Sequence, residues 1–199
     1  MPRRVALFVA CGTACAVIAA PEEFVVDPGH TFPLFEVRHL GISTQRGRFE
    51  RTEGRIVLDS PGGHGTIDIV IDAQSVSTGN RLLDAQLKGE DFFDAGRFPT
   101  ITFRSTRIDF ERAEPKLAAG ELTMLGITQP VTVAVERFAC TRLPFLVRLT
   151  CGADVVATIS RSAFGMKSCA GLVGDEVRIA VQIEAVKQEP APAPVPDGG

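Results

Sequence analysis

The chain has 199 residues, enough for one domain with a substantial core, and its 21 Lys and Arg against 24 Asp and Glu give a formal net charge of −3. The basic residues are scattered, which excludes the electrostatic footprint of a nucleic-acid binder and weakens adsorption to anionic membrane surfaces. Thirteen phenylalanines with no tyrosine or tryptophan supply rings that favour burial and carry no polar handle.

Residues 1–20 open with Arg3-Arg4, continue as an almost uncharged run and reach small residues at Ala19-Ala20, the three-part pattern of a secretory signal. The run is too short to prefer spanning a bilayer, and nothing downstream offers a second apolar span. Cleavage would remove two arginines and no acid, leaving 19 basic against 24 acidic residues, a charge of −5. A retained N-terminal anchor is the alternative. Cys11 and Cys15 stand in contexts poor for lipid attachment.

Strand candidates follow at 24–26, 34–39 and 55–58. Next, Ile67, Ile69 and Ile71 share one face, with Asp68 and Asp72 on the other, the alternation of a sheet with one side buried and one side wet. A helix is predicted over 81–89, opened by Thr78-Gly79-Asn80, edged by Leu82, Leu83 and Leu87 and ended by Gly89. Strands resume at 100–107 and 116–124. Val131, Val133 and Val135 form a second apolar face, 154–159 is a further strand, and Val177, Ile179, Val181 and Ile183 form a third face. Turn signals stand at Pro61-Gly62-Gly63, Glu114-Pro115 and Gly126. Many short strands at this spacing favour a barrel or a sandwich. Residues 188–199 are rich in Pro and Ala and read as an extended, disordered tail.

Cys140 and Cys151 bracket a ten-residue segment containing Leu143-Pro144, as two arms of a hairpin would, and a disulfide between them is predicted for an oxidising compartment. Cys169 is left over as a free thiol or an intermolecular partner.

His39 follows Phe35 and Val37 at strand spacing, so the same alternation that buries them aims its imidazole inward. It reads either as a polar group at one end of a cavity or as a core histidine bonded to a backbone carbonyl. The three histidines, His30, His39 and His64, show no metal-ligand spacing, and no metal is assigned. No serine stands in a nucleophile-elbow context. Asp91 and Asp94 flank Phe92-Phe93 and read as a helix-end cap and a turn former. Gly62-Gly63-His64-Gly65 lacks the lysine and helix of a phosphate loop.

A set of motifs then runs through the chain: Asp27 with His30, Phe35 with Arg38-His39-Leu40-Gly41, Gly47-Arg48-Phe49, and Ser75-Val76-Ser77-Thr78-Gly79. Later come Leu87-Lys88, Phe92-Phe93-Asp94 leading through Arg97-Phe98-Pro99 to Phe103, Gly120-Glu121-Leu122-Thr123, Gly126 to Val131, and Arg161-Ser162-Ala163-Phe164-Gly165-Met166. Together they resemble the YceI-like lipid-binding family across about residues 24–187. The sequence departs from that pattern at Phe24, where tyrosine is common, and at Gln86, where histidine is frequent. The second departure puts in doubt a head-group contact through that side chain.

The resemblance implies an all-β fold, a lipocalin-like extended antiparallel eight-stranded β-barrel with one short helix, exported to the periplasm. It implies a long-chain amphiphile in the lumen, a polyisoprenoid, a quinone-like lipid or a fatty amide, with no catalysis and no cofactor. The domains would be a signal peptide (1–20), the barrel (21–187) and the tail (188–199). Burial of the chain would drive binding, at about 0.8 kcal/mol per methylene before entropic losses. Polar end-group candidates are His39, Lys88 and Arg161; wall candidates are Phe35, Val37, Phe92, Phe93, Phe98, Phe103 and Phe164. Two other readings stay open: a small barrel enzyme for a hydrophobic substrate, with His39 as acid or base, and a packed module docking on another envelope protein such as a membrane redox partner. A dimer is compatible with each.

Overall fold

The computed structural model of the chain describes residues 21–59, 62–142 and 148–189. The expected export segment with Cys11 and Cys15, Pro61, Leu143-Pro144 and the tail from 190 onward lie outside the described residues. Along the chain come β1 (Glu22–Val26), β2 (Phe32–His39), β3 (Ser43–Phe49), β4 (Thr52–Asp59), β5 (His64–Asp72) and β6 (Val76–Ser77). Helix α1 (Arg81–Lys88) precedes β7 (Thr100–Glu111), β8 (Glu114–Met124), β9 (Ile127–Arg142), β10 (Leu149–Ser160) and β11 (Val173–Lys187).

Eight of these strands close a ring in the order β1, β4, β5, β7, β8, β9, β10, β11, with β11 pairing back onto β1. Every pairing is antiparallel, and β2, β3 and β6 extend the ring at one end. Strands β1 and β2 follow the same edge of β11, interrupted at Asp27-Pro28-Gly29-His30-Thr31, and β3 and β4 are likewise one path broken at Glu50-Arg51. The fold is therefore an eight-stranded antiparallel β-barrel of the lipocalin-like kind, with extra strands and one short helix.

The predicted apolar faces set the register. Ile69 lies opposite Phe103, which lies opposite Leu122, so three apolar side chains from adjacent strands meet on the inner surface. Hairpins close at Leu40-Gly41, Arg112-Ala113 and Leu125-Gly126, each with both residues at positive φ (54° and 71°, 51° and 68°, 54° and 72°). This is the turn whose twist matches that of paired strands. The β7–β8 turn thus falls before the Glu114-Pro115 signal. Pro115 sits inside β8 opposite Phe110, beside a register shift, where the missing N–H does not break the ladder.

Helix α1 begins where Asn80 accepts the Leu82 and Leu83 N–H groups at 3.0 and 3.4 Å and ends at Gly89, whose N–H returns to the Gln86 carbonyl. Asp84 on its first turn accepts both the N–H and the hydroxyl of Thr78, at 2.6 and 2.7 Å. No α1 residue is buried, and Leu82, expected on its apolar edge, is 84% exposed.

Two clusters of buried side chains occupy opposite ends of the barrel. One joins Phe49, Val76, Phe92, Phe164 and Met166 beneath the connections at the α1 end. The other joins Phe24, Leu58, Ile108 and Ala185 with Cys151. Cys140 and Cys151 face each other directly across β9 and β10 and are bonded, as predicted, with their Cα atoms 4.0 Å apart. Cys169 is a free, exposed thiol.

At the break between β1 and β2, Asp27 accepts the Gly29 N–H and pairs with His30 Nδ1, both at 2.8 Å. The bond to His30 is the main cause holding the Asp27 carboxyl below its ordinary value of 3.8, and the bond to Asp27 is the main cause raising the His30 imidazole above 6.5. A raised imidazole favours folding below pH 6.5 and loses that contribution as pH climbs through its folded value. A lowered carboxyl favours folding above pH 3.8 and loses it as pH falls through its own. The pair supports the fold most between these limits, so His30→Asn is expected to lower stability there and to make the falls outside them shallower, as read from urea midpoints taken from below pH 3.8 to above pH 6.5.

Arg112 and Ala113 occupy a left-handed turn without the Asn-Gly pair that fits it. The double change Arg112→Asn, Ala113→Gly is expected to raise unfolding free energy by about 1 kcal/mol, measured by urea denaturation. Replacing Cys140 and Cys151 by Ser releases a short loop, with sequence separation 11, and is expected to lower it by about 2–3 kcal/mol in the same assay.

Candidate lipid-binding lumen

Between the two clusters the barrel is hollow, with a cavity of about 640 Å³. The isoleucines of β5, the valines of β9 and the Val177-to-Ile183 face of β11 all line it. These aliphatic side chains reach inward from opposite walls without filling the space, and β10 adds the small Ala157. At the α1 end the lining turns polar, with His39, Gln45, Asn80 and Gln86. The connections at that end form a mouth.

The aromatic wall is concentrated under α1. Phe49 packs edge-on against Phe93 with ring centroids 5.2 Å apart, and Phe35 lies 6.0 and 6.2 Å from the two. Gly47 makes this possible: a Cβ there would fall 2.3 Å from Phe35 Cζ. Similarly, Gly120 lies beneath Phe103, whose Cζ would be 2.7 Å from an added Cβ.

Of the residues singled out in the sequence, Phe35, Val37, His39, Phe92, Phe93, Phe103 and Arg161 line this cavity. Lys88 is on the last turn of α1 and off the wall. Phe98 packs at the Leu125-Gly126 turn beneath the Arg97 guanidinium, 5.2 Å from its ring centre, and Phe164 is fully buried in the upper cluster. Asp91 accepts the Ser168 hydroxyl at 2.9 Å and Asp94 the Arg97 guanidinium at 3.1 Å, consistent with structural roles for both.

The His39 carbonyl accepts the Ile42 N–H at 3.1 Å, while its imidazole lies on the lumen wall without a hydrogen bond among the described residues. Arg161 is buried and donates to four carbonyls: Nε to Gly174 at 2.9 Å, Nη1 to Met166 and Ser168 at 2.9 and 2.8 Å, and Nη2 to Val173 at 3.1 Å. Its donors are thus directed at the chain between β10 and β11 and not into the lumen. Asp175 fastens the same connection, accepting the Ser160 hydroxyl and, at 2.9 Å, the Ser162 N–H. The Ser160 bond is the chief cause that holds the Asp175 carboxyl below its ordinary range.

Three features of the site carry no clear sequence signal. Gln45 lines the lumen from β3, a strand whose polar composition hid it. Thr52 lies on the wall with its hydroxyl buried and unpartnered among the described residues. Outside the barrel, Asp27, His30 and Glu184 bring ligand-capable atoms within 4.8 Å of one another, although the Asp27 carboxylate is already engaged by Gly29 and His30.

A barrel of this topology around an apolar lumen invites comparison with known proteins, and the YceI-like domain family matches residues 24–185. The chain belongs to the YceI-like family. A UPF0312 protein of Pseudomonas paraeruginosa is 29% identical over 184 residues, covering 92% of this chain and 95% of that protein. Protein YceI of Escherichia coli O157:H7 is 26% identical over 178 residues, 89% of this chain and 92% of that protein. Among solved structures, BcnA of Burkholderia cenocepacia superposes with a TM-score of 0.66 at 25% identity, over 80% of this chain and 98% of that one. A polyisoprenoid binding domain from Saccharophagus degradans shares the fold at a TM-score of 0.60 and 15% identity, over 83% of this chain and 98% of that domain.

An unpaired hydroxyl on an apolar wall costs about 1–3 kcal/mol. In this YceI-like barrel, Thr52→Val is therefore expected to leave the ligand-free protein as stable or up to about 1 kcal/mol more so, checked by thermal unfolding after lipid extraction.

Proposed function

We propose that this YceI-like barrel is a non-catalytic carrier that holds one long-chain amphiphile, a polyisoprenoid, a quinone-like lipid or a fatty amide, in its lumen. The hollow itself carries the reading. A cavity of about 640 Å³ lies within the usual range for a small-molecule site, its walls are aliphatic and phenyl, and polar side chains gather at one end. An alkyl or prenyl tail would occupy the barrel and a head group would meet His39, Gln45 and Gln86 at the mouth. Burying about ten methylenes would yield about 8 kcal/mol before the entropic losses of binding. The Thr52 hydroxyl offers one donor along the wall for an oxygen of the ligand.

The Saccharophagus domain with the same fold is described as polyisoprenoid binding, which supports this class of ligand. The Cys140–Cys151 bond supports an oxidising compartment, in keeping with the periplasm and with the export segment read in the sequence. Catalysis by His39 has less support, because no group among the described residues hydrogen-bonds its ring, and an acid–base residue is ordinarily oriented by such a partner.

The test is lipid analysis of natively purified protein alongside equilibrium binding of a fluorescent prenyl probe. An amphiphile should co-purify, or the extracted protein should take up the probe. Ala157→Trp puts an indole into the hollow and is expected to weaken probe binding by at least about tenfold while leaving the unfolding temperature nearly unchanged. Probe affinity unmoved by this change, or no amphiphile and no uptake, would overturn the carrier reading.

A further inference from the structure

Seven large apolar side chains are strongly exposed among the described residues, and five of them, Leu40, Ile42, Leu82, Ile127 and Leu172, lie at the α1 end of the barrel. Four stand around the mouth. Ile42 is 81% exposed and Leu82 84%, with Leu172 at 55% and Leu40 at 48%. The Leu40 N–H donates to the Leu172 carbonyl at 2.6 Å, so the β2–β3 turn and the turn before β11 present one continuous patch. Leu82, exposed on the first turn of α1 at the same end, also lines the lumen. Through Leu82 this apolar collar reaches the cavity wall.

Its chemistry selects among occupants. Protein interfaces concentrate binding in Trp, Tyr and Arg anchors set in pockets, whereas this collar is purely aliphatic and sits on turn tips. Cations complete it. Arg38, Arg81 and Lys167 are exposed at the same end and have no carboxylate partner among the described residues, while Arg46, Arg51, Arg104 and Arg178 elsewhere on the barrel are each paired with an acid. Arg38 is held in place by donating to the Gly41 carbonyl and the Thr44 hydroxyl, within the turn that carries Leu40 and Ile42. The acids of the same end, Asp84, Glu90, Asp91, Asp175 and Glu176, form no ion pair with these three cations, and their charge leaves the aliphatic side chains as the main source of attachment.

We propose that the α1 end is a membrane-docking surface, on which Leu40, Ile42, Leu82 and Leu172 enter the acyl region of a phospholipid bilayer while Arg38, Arg81 and Lys167 meet headgroup phosphates. Docking brings the mouth against the bilayer, so a lipid tail passes between lumen and membrane without crossing water. The purpose of docking rests on the carrier reading, but the contact itself can be tested apart from it. Because the chain as a whole is acidic, aliphatic insertion dominates and salt weakens the contact only partly.

The experiment sediments the exported protein with vesicles of phosphatidylethanolamine and phosphatidylglycerol, and separately measures prenyl-probe affinity without vesicles and probe transfer from vesicles. Wild type should partition onto the vesicles. Ile42→Asp with Leu172→Asp should reduce partitioning and transfer rate by about tenfold or more, with affinity in vesicle-free buffer and unfolding temperature unchanged, since both side chains are exposed and neither lines the lumen. Arg81→Gln with Lys167→Gln, which removes no apolar contact, should lower partitioning by about fivefold per cation. Wild type left in the supernatant, or the double aspartate variant partitioning as well as wild type, would overturn the proposal. So would a wild-type dimer made monomeric by the aspartates without vesicle binding, which would assign the collar to a second copy of the chain. Partitioning that responds to the aspartates while no prenyl probe binds at all would leave docking standing and remove the carrier reading.

Discussion

The girth of a closed sheet is set by how many strands it contains and not by the side chains that line it. Strands pair about 4.8 Å apart, so once β11 returns to β1 and completes a ring of eight, the inner residues must bridge whatever distance the backbone leaves. Valine, isoleucine and alanine on β5, β9, β10 and β11 are too short to do so. Larger side chains are used at the two ends, where Phe49, Phe92 and Phe164 fill one and Phe24, Leu58 and Ile108 the other. The same closure removes every free edge along the ring. Core, hollow and mouth are three consequences of one pairing.

Much of this was readable because period-two alternation survives wherever a strand faces an apolar interior on one side and water on the other. The Ile67, Val131 and Val177 series all lie inward, and Asn80 and Gly89 bounded the helix as their chemistry suggests. Strand β3 was not readable. Its inward positions are Gln45, Gly47 and Phe49, and at the middle one the apolar group is the Phe35 ring, supplied by the neighbouring strand across the glycine. The Arg112-Ala113 turn carries none of the residues that favour left-handed backbone, so Pro115 drew attention two residues too late.

Arg161 illustrates a different limit. In sequence it is a cation within a motif and resembles a contact for a lipid head group. Only tertiary structure reveals the four carbonyls, from Met166 to Gly174, that surround its guanidinium. Those hydrogen bonds satisfy its donors, the Asp175 carboxylate is close enough to feel its charge, and the two together allow such a group to stay out of water. One side of the mouth is thereby fixed by a buried strut. Another part of the mouth is α1, which buries none of its residues and is held by its Asn80 cap and the Asp84 bonds to Thr78. Elements with few buried contacts open at the lowest free energy, so the mouth combines a rigid rim with a yielding one.

The lower cluster and the Cys140–Cys151 staple have a bearing on traffic. With Phe24, Leu58 and Ile108 packed across that end and the neighbouring hairpin covalently cinched, the barrel is a bottle and not a tunnel. Under the proposed carrier function, a cargo longer than the bottle would leave its surplus at the neck, and the part that went in first would be the last to come out. Order of loading and order of release would then be mirror images for any such cargo.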